Sequence, residues 1–220
     1  MPKSLKAEDA SGLPRLPPGR HGLERDFVVQ NQRDRLTAGV IAVIGERGYH
    51  EATISQICAA AGVSRRTFYT YFAGKQECFG EAFERISEHL AGAMRGIDGQ
   101  EGDWPEQVMA RLAILLEAFA ANPDLVRFSW TAPFRAGEPI AEYHQIALEQ
   151  LLQALLEDRP ADGLRRPSQV VENAVVGGMM ALIASRVEAG GGASLPDLLP
   201  ELVEIFLTPY LGRAEAARVV

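Results

Sequence analysis

Residues 53–72, with the sequence TISQICAAAGVSRRTFYTYF, contain two short segments of helical patterning on either side of a glycine. Thr53 is followed three residues later by Gln56, which is the spacing of a helix-capping box. The apolar side chains that follow Thr53 recur at intervals of three and four residues, as they do on one face of a helix. Gly62 predicts a left-handed turn, and Ser64 predicts the cap of a second helix. The stretch therefore predicts a helix-turn-helix.

The second predicted helix has an inner and an outer face. With roughly 100° between successive residues, Phe68 and Phe72 lie together, which predicts that both are buried. The opposite side carries groups that suit a DNA groove, because arginine reads guanine, threonine methyls contact thymine and tyrosine hydroxyls hold phosphates. The residues expected on this outer face or at its N-terminal end are Arg65, Arg66, Thr67, Tyr69, Thr70 and Tyr71. The alternative is an ordinary amphipathic helix whose charges face water.

Helical patterning continues through the rest of the chain. Leu36, Val40 and Ile44 form an apolar stripe in a first helix expected over residues 26–47. The later segments expected to be helical are 75–95, 104–121, 139–158, 168–188 and 195–212. The chain is 47% hydrophobic and 23% charged, as globular proteins are. We therefore predict an all-α fold.

The net charge of −7 is the sum over two unlike parts of the chain. Residues 1–80 hold eleven Lys and Arg against eight Asp and Glu, a net charge of +3. Residues 81–220 hold eleven against twenty-one, a net charge of −10. Such asymmetry is typical of a basic nucleic-acid-binding domain joined to an acidic domain of another function.

The competing class is an enzyme with a helical active site. The four histidines, at positions 21, 50, 89 and 144, have no metal-ligand spacing, and no nucleophile elbow, phosphate loop or dinucleotide fingerprint occurs. We therefore expect no catalytic residues, no metal site and no cofactor.

The two cysteines, Cys58 and Cys78, occupy apolar-face positions of predicted helices. We interpret them as buried thiols of a reducing cytosol. The N-terminus lacks the apolar core of a signal peptide. The longest apolar run, residues 174–184, is too short to span a bilayer. The chain is thus expected to be soluble and cytoplasmic, with no membrane partner.

Residues 46–79, ERGYHEATISQICAAAGVSRRTFYTYFAGKQECF, resemble the DNA-binding signature of the TetR (tetracycline-repressor-like) family of transcriptional regulators. The similarity covers about residues 25–80. The matching features, in order, are Gly48-Tyr49, Thr53, Ile57, Ala61-Gly62-Val63-Ser64, Thr67-Phe68-Tyr69, Tyr71-Phe72 and Lys75. Arg66 departs from the family pattern, which often has a small residue or proline there; this affects base preference rather than the fold.

The resemblance implies a domain layout. It implies an N-terminal three-helix helix-turn-helix DNA-binding domain over residues 25–75 and a larger helical ligand-binding and dimerisation domain over residues 76–213. Residues 214–220 are left as a C-terminal tail. Residues 1–24, rich in proline and glycine, are expected to be a flexible arm. Its arginines, together with the one that follows it, either face water or contact the minor groove: Arg15, Arg20 and Arg25.

The resemblance also implies roles for single residues. Thr53 and Lys75 would hold phosphates from the N-termini of two helices, where backbone amides attract anions. Tyr69 and Tyr71 would add phosphate contacts. The residues that would face bases are Arg65, Arg66 and Thr67.

The expected function is a ligand-responsive transcriptional regulator, with repression as the expected sign. It would bind a palindromic operator in double-stranded DNA as a dimer and be released by a small, largely apolar effector. The alternative is a sequence-specific or architectural DNA-binding protein without an effector. Aromatic residues beside the broken helices near residue 130 suit an apolar pocket or plain core. The candidate ligand-binding residues are Phe83, Phe119, Phe128, Trp130, Phe134, Tyr143 and Met179.

The two C-terminal helices are apolar over much of their circumference. The resemblance implies that they pair with their copies in a homodimer, whereas burial inside a monomer is the alternative. The candidate interface residues are Val171, Val175, Gly178, Leu182, Leu202, Ile205 and Phe206.

Overall fold

The computed structural model describes residues 25–96, 102–136 and 140–220, and every regular element in these ranges is helical. The all-α prediction is therefore confirmed. The chain forms two compact units, the first ending at Arg85 and the second beginning at Ile86. The division falls inside a long helix, ten residues beyond residue 75, where the sequence ended the DNA-binding domain.

The first unit contains three helices and the N-terminal half of a fourth. These are α1 (Arg25–Arg47), α2 (Ile54–Ala61), α3 (Arg65–Tyr71) and α4 (Lys75–Arg95). The stripe predicted on α1 is buried, with Leu36 and Val40 completely covered. Helices α1 and α2 approach each other closely at Gly39, where an added Cβ would lie 3.0 Å from the Cβ of Ala61. A larger residue at this position would push the two helices apart.

Ion pairs join α1 to α4 within the first unit. Arg33 contacts Glu81 at 2.7 Å, and Arg85 pairs with Asp34. Arg85 also lies 3.9 Å from Glu81 on its own helix. These side chains are about one-quarter to one-third exposed, so water screens the attraction within each ion pair. The ion pairs therefore serve mainly to align the two helices.

The second unit is built from the remaining helices. They are the C-terminal half of α4, α5 (Trp104–Ala121), α6 (Asp124–Val126), a π-helical segment (Arg127–Thr131), α7 (Ala132–Ala136), α8 (Glu142–Leu156), α9 (Gln169–Glu188), a 3₁₀ segment (Gly192–Leu198), α10 (Leu199–Leu211) and α11 (Arg213–Val219). The first helix break, at Asn122 and Pro123, follows the predicted end of α5.

An aromatic group organises the core of the second unit. Trp104, at the start of α5, donates a hydrogen bond from Nε1 to the carbonyl of Leu155 at 3.1 Å. Its ring packs edge-on against Tyr210, with centroids 5.2 Å apart. Phe206 lies against both rings and is fully buried. Helices α5, α8 and α10 are thus held together around a single cluster.

The C-terminal segment differs from the prediction in two respects. Residues 195–198 do not belong to the last long helix, because Pro196 lies in a separate 3₁₀ segment and Pro200 occupies the first turn of α10, where its missing N–H costs nothing. Residues 214–220 were left as a tail, but the chain continues into α11. Ala216 is fully buried, which ties α11 to the core.

Helix α9 leaves an apolar surface uncovered. Among the described residues, it is the helix whose length and composition would allow it to cross a membrane, a test that apolar helices of soluble proteins also pass. Only 28% of its most apolar window is buried in the chain. Val171 and Leu182 are 42% and 49% exposed, so the uncovered surface is available to another molecule.

Candidate nucleic-acid interface

A complete capping box starts α2. Thr53 donates from its backbone N–H to Gln56 Oε1 at 2.8 Å, and its side-chain oxygen accepts from the backbone N–H of Gln56 at 3.3 Å. Two amides that a helix N-terminus leaves free are thereby satisfied. Thr53 is exposed, and its hydroxyl also donates to Gln56 Oε1 at 2.8 Å.

The turn between α2 and α3 has the predicted left-handed glycine. Gly62 has φ of 62° and ψ of 33°, and its N–H bonds to the carbonyl of Ala59 at 3.1 Å. Arg35 of α1 adds a contact that the sequence analysis did not predict, because its Nη2 donates to the Gly62 carbonyl at 3.0 Å. Arg35 is only 4% exposed. The sequence signal for this contact between α1 and the turn was Gly39, which lies one helical turn after Arg35. A glycine inside a helix often marks the close approach of another backbone.

Helix α3 presents the expected polar face. Ser64 caps it, accepting from the backbone N–H of Thr67 at 3.0 Å while the two hydroxyls lie 2.8 Å apart. Phe68 is fully buried, and Phe72 is 2% exposed, as predicted. The residues that lie on the exposed side of α3 are Arg65, Arg66, Tyr69 and Thr70. Of these, Tyr69 is 51% exposed and Thr70 donates to the carbonyl of Arg66 at 3.0 Å.

Two residues expected to contact phosphates have partners inside the first unit. Tyr71 donates its hydroxyl to Gln32 Oε1 at 2.6 Å, and Arg33 lies over its ring at 5.6 Å from the centroid. Lys75 donates from Nζ to the carbonyls of Tyr49 and Ala52. Both side chains therefore hold α3 and α4 against the rest of the unit.

The predicted arm contacts cannot be placed. Arg15 and Arg20 lie outside the described residues. The backbone of Arg25 begins α1, but its side chain is also outside the described part of the structure.

Both thiols of the first unit are buried, as predicted. Cys58 is 4% exposed and Cys78 is 1% exposed. Burial raises the pKa of the Cys78 thiol to about 12, and burial also raises the pKa of the Cys58 thiol. Both thiols are therefore protonated at neutral pH.

The second unit contains an apolar cavity of about 70 Å³. Its lining residues come from α4, α5, α8, α9 and the π-helical segment; those that are apolar and large are Ile86, Leu90, Met94, Leu115, Phe119, Trp130, Leu151 and Met180. A wider opening of about 540 Å³ shares four lining residues with it: Ser87, Ala91, Gln150 and Ala154. The opening also has charged residues, namely Glu88, Arg95 and Glu157. The apolar space and the more polar one therefore adjoin each other.

The cavity contains some of the predicted ligand-binding residues and not others. Phe119 and Trp130 line it. Phe83 does not, because it belongs to the first unit, where it stacks on Phe79 with centroids 6.2 Å apart. Phe128 and Met179 are core residues outside the lining, as helical rotation places the neighbouring Met180 at the cavity instead.

The other two predicted residues are Tyr143 and Phe134. Tyr143 is half-buried and is not part of the lining. The side chain of Phe134 is outside the described residues. Leu90 and Met94 line the cavity but were not predicted; their spacing on α4 places both on one face with Ile86.

The predicted dimer residues also separate into two groups. Val171, Leu182 and Ile205 are exposed, at 42%, 49% and 37%. Gly178 faces open space, and Val175 is half-buried. Leu202 and Phe206 instead lie on the inner face of α10 and are fully buried in the second unit, so they are core residues.

In the described part of the chain, no three His, Cys, Asp or Glu side chains are grouped as metal ligands would be. The capped pair of short helices, with its buried phenylalanines and exposed arginines, defines a helix-turn-helix DNA-binding protein. Residues 36–82 match the family model described as bacterial regulatory proteins, tetR family. This match lies within the first unit and identifies its helix-turn-helix as that of the tetR family.

Individual relatives agree with this assignment. The chain is 32% identical over 72 residues to YvdT, an uncharacterised HTH-type transcriptional regulator of Bacillus subtilis (strain 168). That match covers 32% of this chain and only 37% of the length of YvdT.

Two solved structures share the fold over most of the chain. The fatty acid degradation regulator FadR of Bacillus halodurans has a TM-score of 0.70 at 19% identity, covering 80% of this chain and 94% of FadR. FadR of Bacillus subtilis, solved in complex with stearoyl-CoA, has a TM-score of 0.68 at 16% identity, covering 80% and 97%. At these identities the likeness shows the fold alone.

Proposed function

We propose that this regulator is a cytoplasmic repressor that binds a palindromic operator as a homodimer and is released by a small, largely apolar effector. The observation that carries the DNA-binding part is the exposed face of α3. Arg65, Arg66 and Tyr69 are exposed there, while Phe68 anchors the helix from behind. We assign no catalytic role to any residue.

Within this face we divide the contacts by chemistry. The base-facing residues are proposed to be Arg65, Arg66 and Thr67, since the N-terminal part of a recognition helix reaches base edges. The residues suited to phosphates are Tyr69, Thr53 and Ser64. Thr53 and Ser64 lie at the two capped helix N-termini, where exposed amides and hydroxyls attract anions. Thr70 completes the outer surface.

Selection of bound sites from random double-stranded DNA tests this proposal. We expect a palindrome with half-sites spaced by about one helical turn or more. Arg66→Ala is then expected to reduce discrimination at one position of each half-site by about 1–3 kcal/mol, the worth of a bidentate base contact. Arg47→Ala, at an exposed arginine outside the motif, is the matched control. Uniform weakening on all sequences by Arg66→Ala would contradict the assignment, and failure to select any motif would contradict the proposed function.

The apolar cavity of the second unit supports the effector part. Its inner end is lined by side chains such as Leu90, Phe119 and Met180, while the opening carries charged residues. This arrangement suits a molecule with an apolar end and a polar end. The structural neighbour solved with stearoyl-CoA makes acylated compounds the first class to test.

Helix α4 provides a route for the effector response. Its C-terminal half supplies Ile86, Leu90 and Met94 to the cavity, and the same helix begins at Lys75 in the DNA-binding unit. An effector changes the DNA-binding equilibrium only by the difference in its affinity for the two states. A hundredfold release requires about 2.7 kcal/mol of coupling, within the usual range for allosteric proteins.

Thermal melting with fatty acids and acyl-CoAs of increasing chain length tests the effector proposal. We expect one group of compounds to raise the melting temperature and weaken operator binding. Ala91→Trp fills the space that the cavity and its opening share, so it should abolish both effects. Ala93→Trp, two residues away on the exposed side of α4, is the matched control. If no compound in a broad screen of small apolar molecules stabilises the protein, the alternative of a DNA-binding protein without an effector is favoured.

The uncovered face of α9 supports the homodimer. Val171, Gly178 and Leu182 lie on one side of this helix, at intervals of seven and four residues, and Ile205 on α10 is exposed as well. A large apolar surface on a soluble protein commonly marks an interface. A second copy would cover this surface by the same residues across a two-fold axis.

A further inference from the structure

The apolar cavity of the second unit and the opening beside it differ greatly in size. The cavity has a volume of about 70 Å³, whereas the opening has a volume of about 540 Å³. An apolar cavity of about 150 Å³ in a protein core binds one benzene molecule. The cavity is therefore less than half the size that benzene requires, and only a short apolar group fits between its walls.

Polar side chains lie where the cavity meets the opening. Ser87 on α4 and Gln150 on α8 line both spaces. A hydroxyl and an amide each donate and accept hydrogen bonds without carrying a charge. In ligand sites, a few polar groups of this kind fix the orientation of a molecule whose apolar part is buried. A ligand with a hydrogen-bonding group next to a short apolar end therefore matches this order of surfaces.

Trp130 has the largest side chain in the wall of the cavity. It lies in the π-helical segment and is 8% exposed. Single π-helical turns are rare and occur frequently at functional sites. Here the segment places two consecutive residues, Ser129 and Trp130, along the same cavity. The indole therefore occupies space that a longer apolar chain would need.

His144 on α8 supports the indole of Trp130. The two ring centroids lie 4.0 Å apart, with the ring planes inclined by 42°. Burial lowers the pKa of His144, so its ring is uncharged at neutral pH and packs against the indole as a neutral group. Protein interiors are close-packed, so a side chain that packs on a second ring does not leave its place freely. The wall that Trp130 forms is therefore a fixed one.

We propose that the effector has a short apolar end of about four carbon atoms or fewer, joined through a hydrogen-bonding group to a larger polar part, and that Trp130 sets this length limit. The apolar end occupies the cavity, the hydrogen-bonding group meets Ser87 and Gln150, and the polar part lies in the opening. This inference rests on the proposed effector function and names the chemical class of the effector.

The chain-length dependence of binding tests the proposal on the full-length wild-type protein. The probes are acyl-CoAs and neutral N-acylethanolamines with acetyl, butyryl, hexanoyl, octanoyl and palmitoyl groups, used below the concentrations at which they form micelles. While a chain fits, each buried CH₂ group raises the affinity about fourfold. In a series that binds, isothermal titration calorimetry should show a rise of about tenfold or more from acetyl to butyryl and no further rise at hexanoyl.

Two contrary results are distinguishable. An affinity that climbs steadily to palmitoyl would overturn the length limit and leave the proposed effector function standing. Binding of no probe from either series would contradict the effector function for acyl compounds and this inference together.

Trp130→Ala tests the residue that sets the limit. It removes the indole from the wall, so we expect the rise in affinity to continue to hexanoyl or octanoyl. Phe128→Ala is the matched control, because Phe128 lies in the same π-helical segment and is fully buried but does not line the cavity. In this control the limit should stay at butyryl. A folded Trp130→Ala variant with an unchanged limit would overturn the role of Trp130.

Ala147→Leu provides a second test if the truncated variants do not fold. Ala147 lines the cavity and not the opening, so a leucine there reduces the apolar space. We expect butyryl compounds to lose about tenfold or more in affinity, the contribution of two CH₂ groups, while acetyl compounds lose little. Equal losses for both compounds would overturn the placement of the apolar end.

Gln150→Leu tests the hydrogen-bonding group. We expect it to weaken binding about tenfold at every chain length, as the loss of one hydrogen bond does, and to leave the limit at butyryl. Gln153→Leu is the matched control, because Gln153 lines the opening and not the cavity. Equal affinities of the two variants would overturn the placement of this group.

Discussion

Arg35 shows how one side chain can determine the geometry of the DNA-binding motif. It is buried on α1, and it donates to the carbonyl of Gly62, the residue that turns the chain from α2 into α3. A carbonyl at a left-handed turn has no partner within its own helix, so this bond replaces one that water would otherwise supply. The orientation of α3 thus depends on a residue of α1 far from it in sequence.

Arg35→Met is therefore expected to lower the free energy of unfolding by about 1–3 kcal/mol, because it leaves the Gly62 carbonyl without its donor and removes a buried charge-assisted hydrogen bond. Urea unfolding followed by circular dichroism measures the change. Arg47→Met is the control, as Arg47 is exposed and its side chain lies 3.5 Å from Glu46. Equal stability of the two variants would show that the Arg35 contact contributes little.

At this scale, the sequence predicted residues whose roles are local. Thr53, Ser64 and Gly62 act on neighbours within three or four positions, so their spacing contains the information. Arg35 and Lys75 act on backbone carbonyls more than twenty residues away along the chain. No local spacing reveals such a partner.

The crossing of α1 and α2 depends on the absence of a single side chain. At Gly39, an added Cβ would lie 3.0 Å from the Cβ and backbone N of Ala61 and 3.0 Å from the carbonyl oxygen of Ile57. Two of these atoms are backbone atoms of α2, which cannot rotate away. A methyl group at this position therefore requires the neighbouring atoms of α2 to shift by a few tenths of an ångström.

Gly39→Ala is expected to destabilise the protein by about 1–3 kcal/mol through this overpacking, although alanine is the better helix former. Gly92→Ala, in α4 with no atom within 4 Å of the added Cβ, is the matched control and should stabilise by up to about 1 kcal/mol. Thermal melting of the two variants gives opposite signs if the crossing is as tight as described. A stabilised Gly39→Ala would contradict it.

The helices themselves were predicted well where their ends have chemical signals. Helix α5 begins after a capping box at Asp103 and ends before Pro123, and its observed bounds are the predicted 104–121. The 3₁₀ segment and α11 were missed for different reasons. Pro196 and Pro200 interrupt an apolar pattern that otherwise reads as one helix, and α11 is stabilised by burial of Ala216, a tertiary effect.

The N-terminal and C-terminal parts of the chain differ in charge. Residues 1–80 have a net charge of +3 and residues 81–220 a net charge of −10. The acidic part repels DNA, and the basic part attracts it. The charge therefore favours an encounter of DNA with the basic part of the chain.

Leu182→Glu is expected to shift the protein from dimer to monomer at micromolar concentration, because it places a carboxylate in the middle of the proposed interface. Sedimentation velocity measures the shift. Ile146→Glu is the matched control, since Ile146 on α8 is 38% exposed but lies outside the face of α9. A wild-type protein that sediments as a monomer, or a Leu182→Glu variant that remains a dimer, would contradict the proposed interface.

The two covered thiols of the first unit have a practical consequence. Because Cys58 and Cys78 are protonated and shielded, an oxidant or alkylating reagent can reach them only when this unit opens. The rate of alkylation then follows the population of opened molecules, provided that reclosing is faster than labelling. The wild-type chain thus contains its own intrinsic probe of local opening, which can be read in the presence and absence of operator DNA without introducing a label.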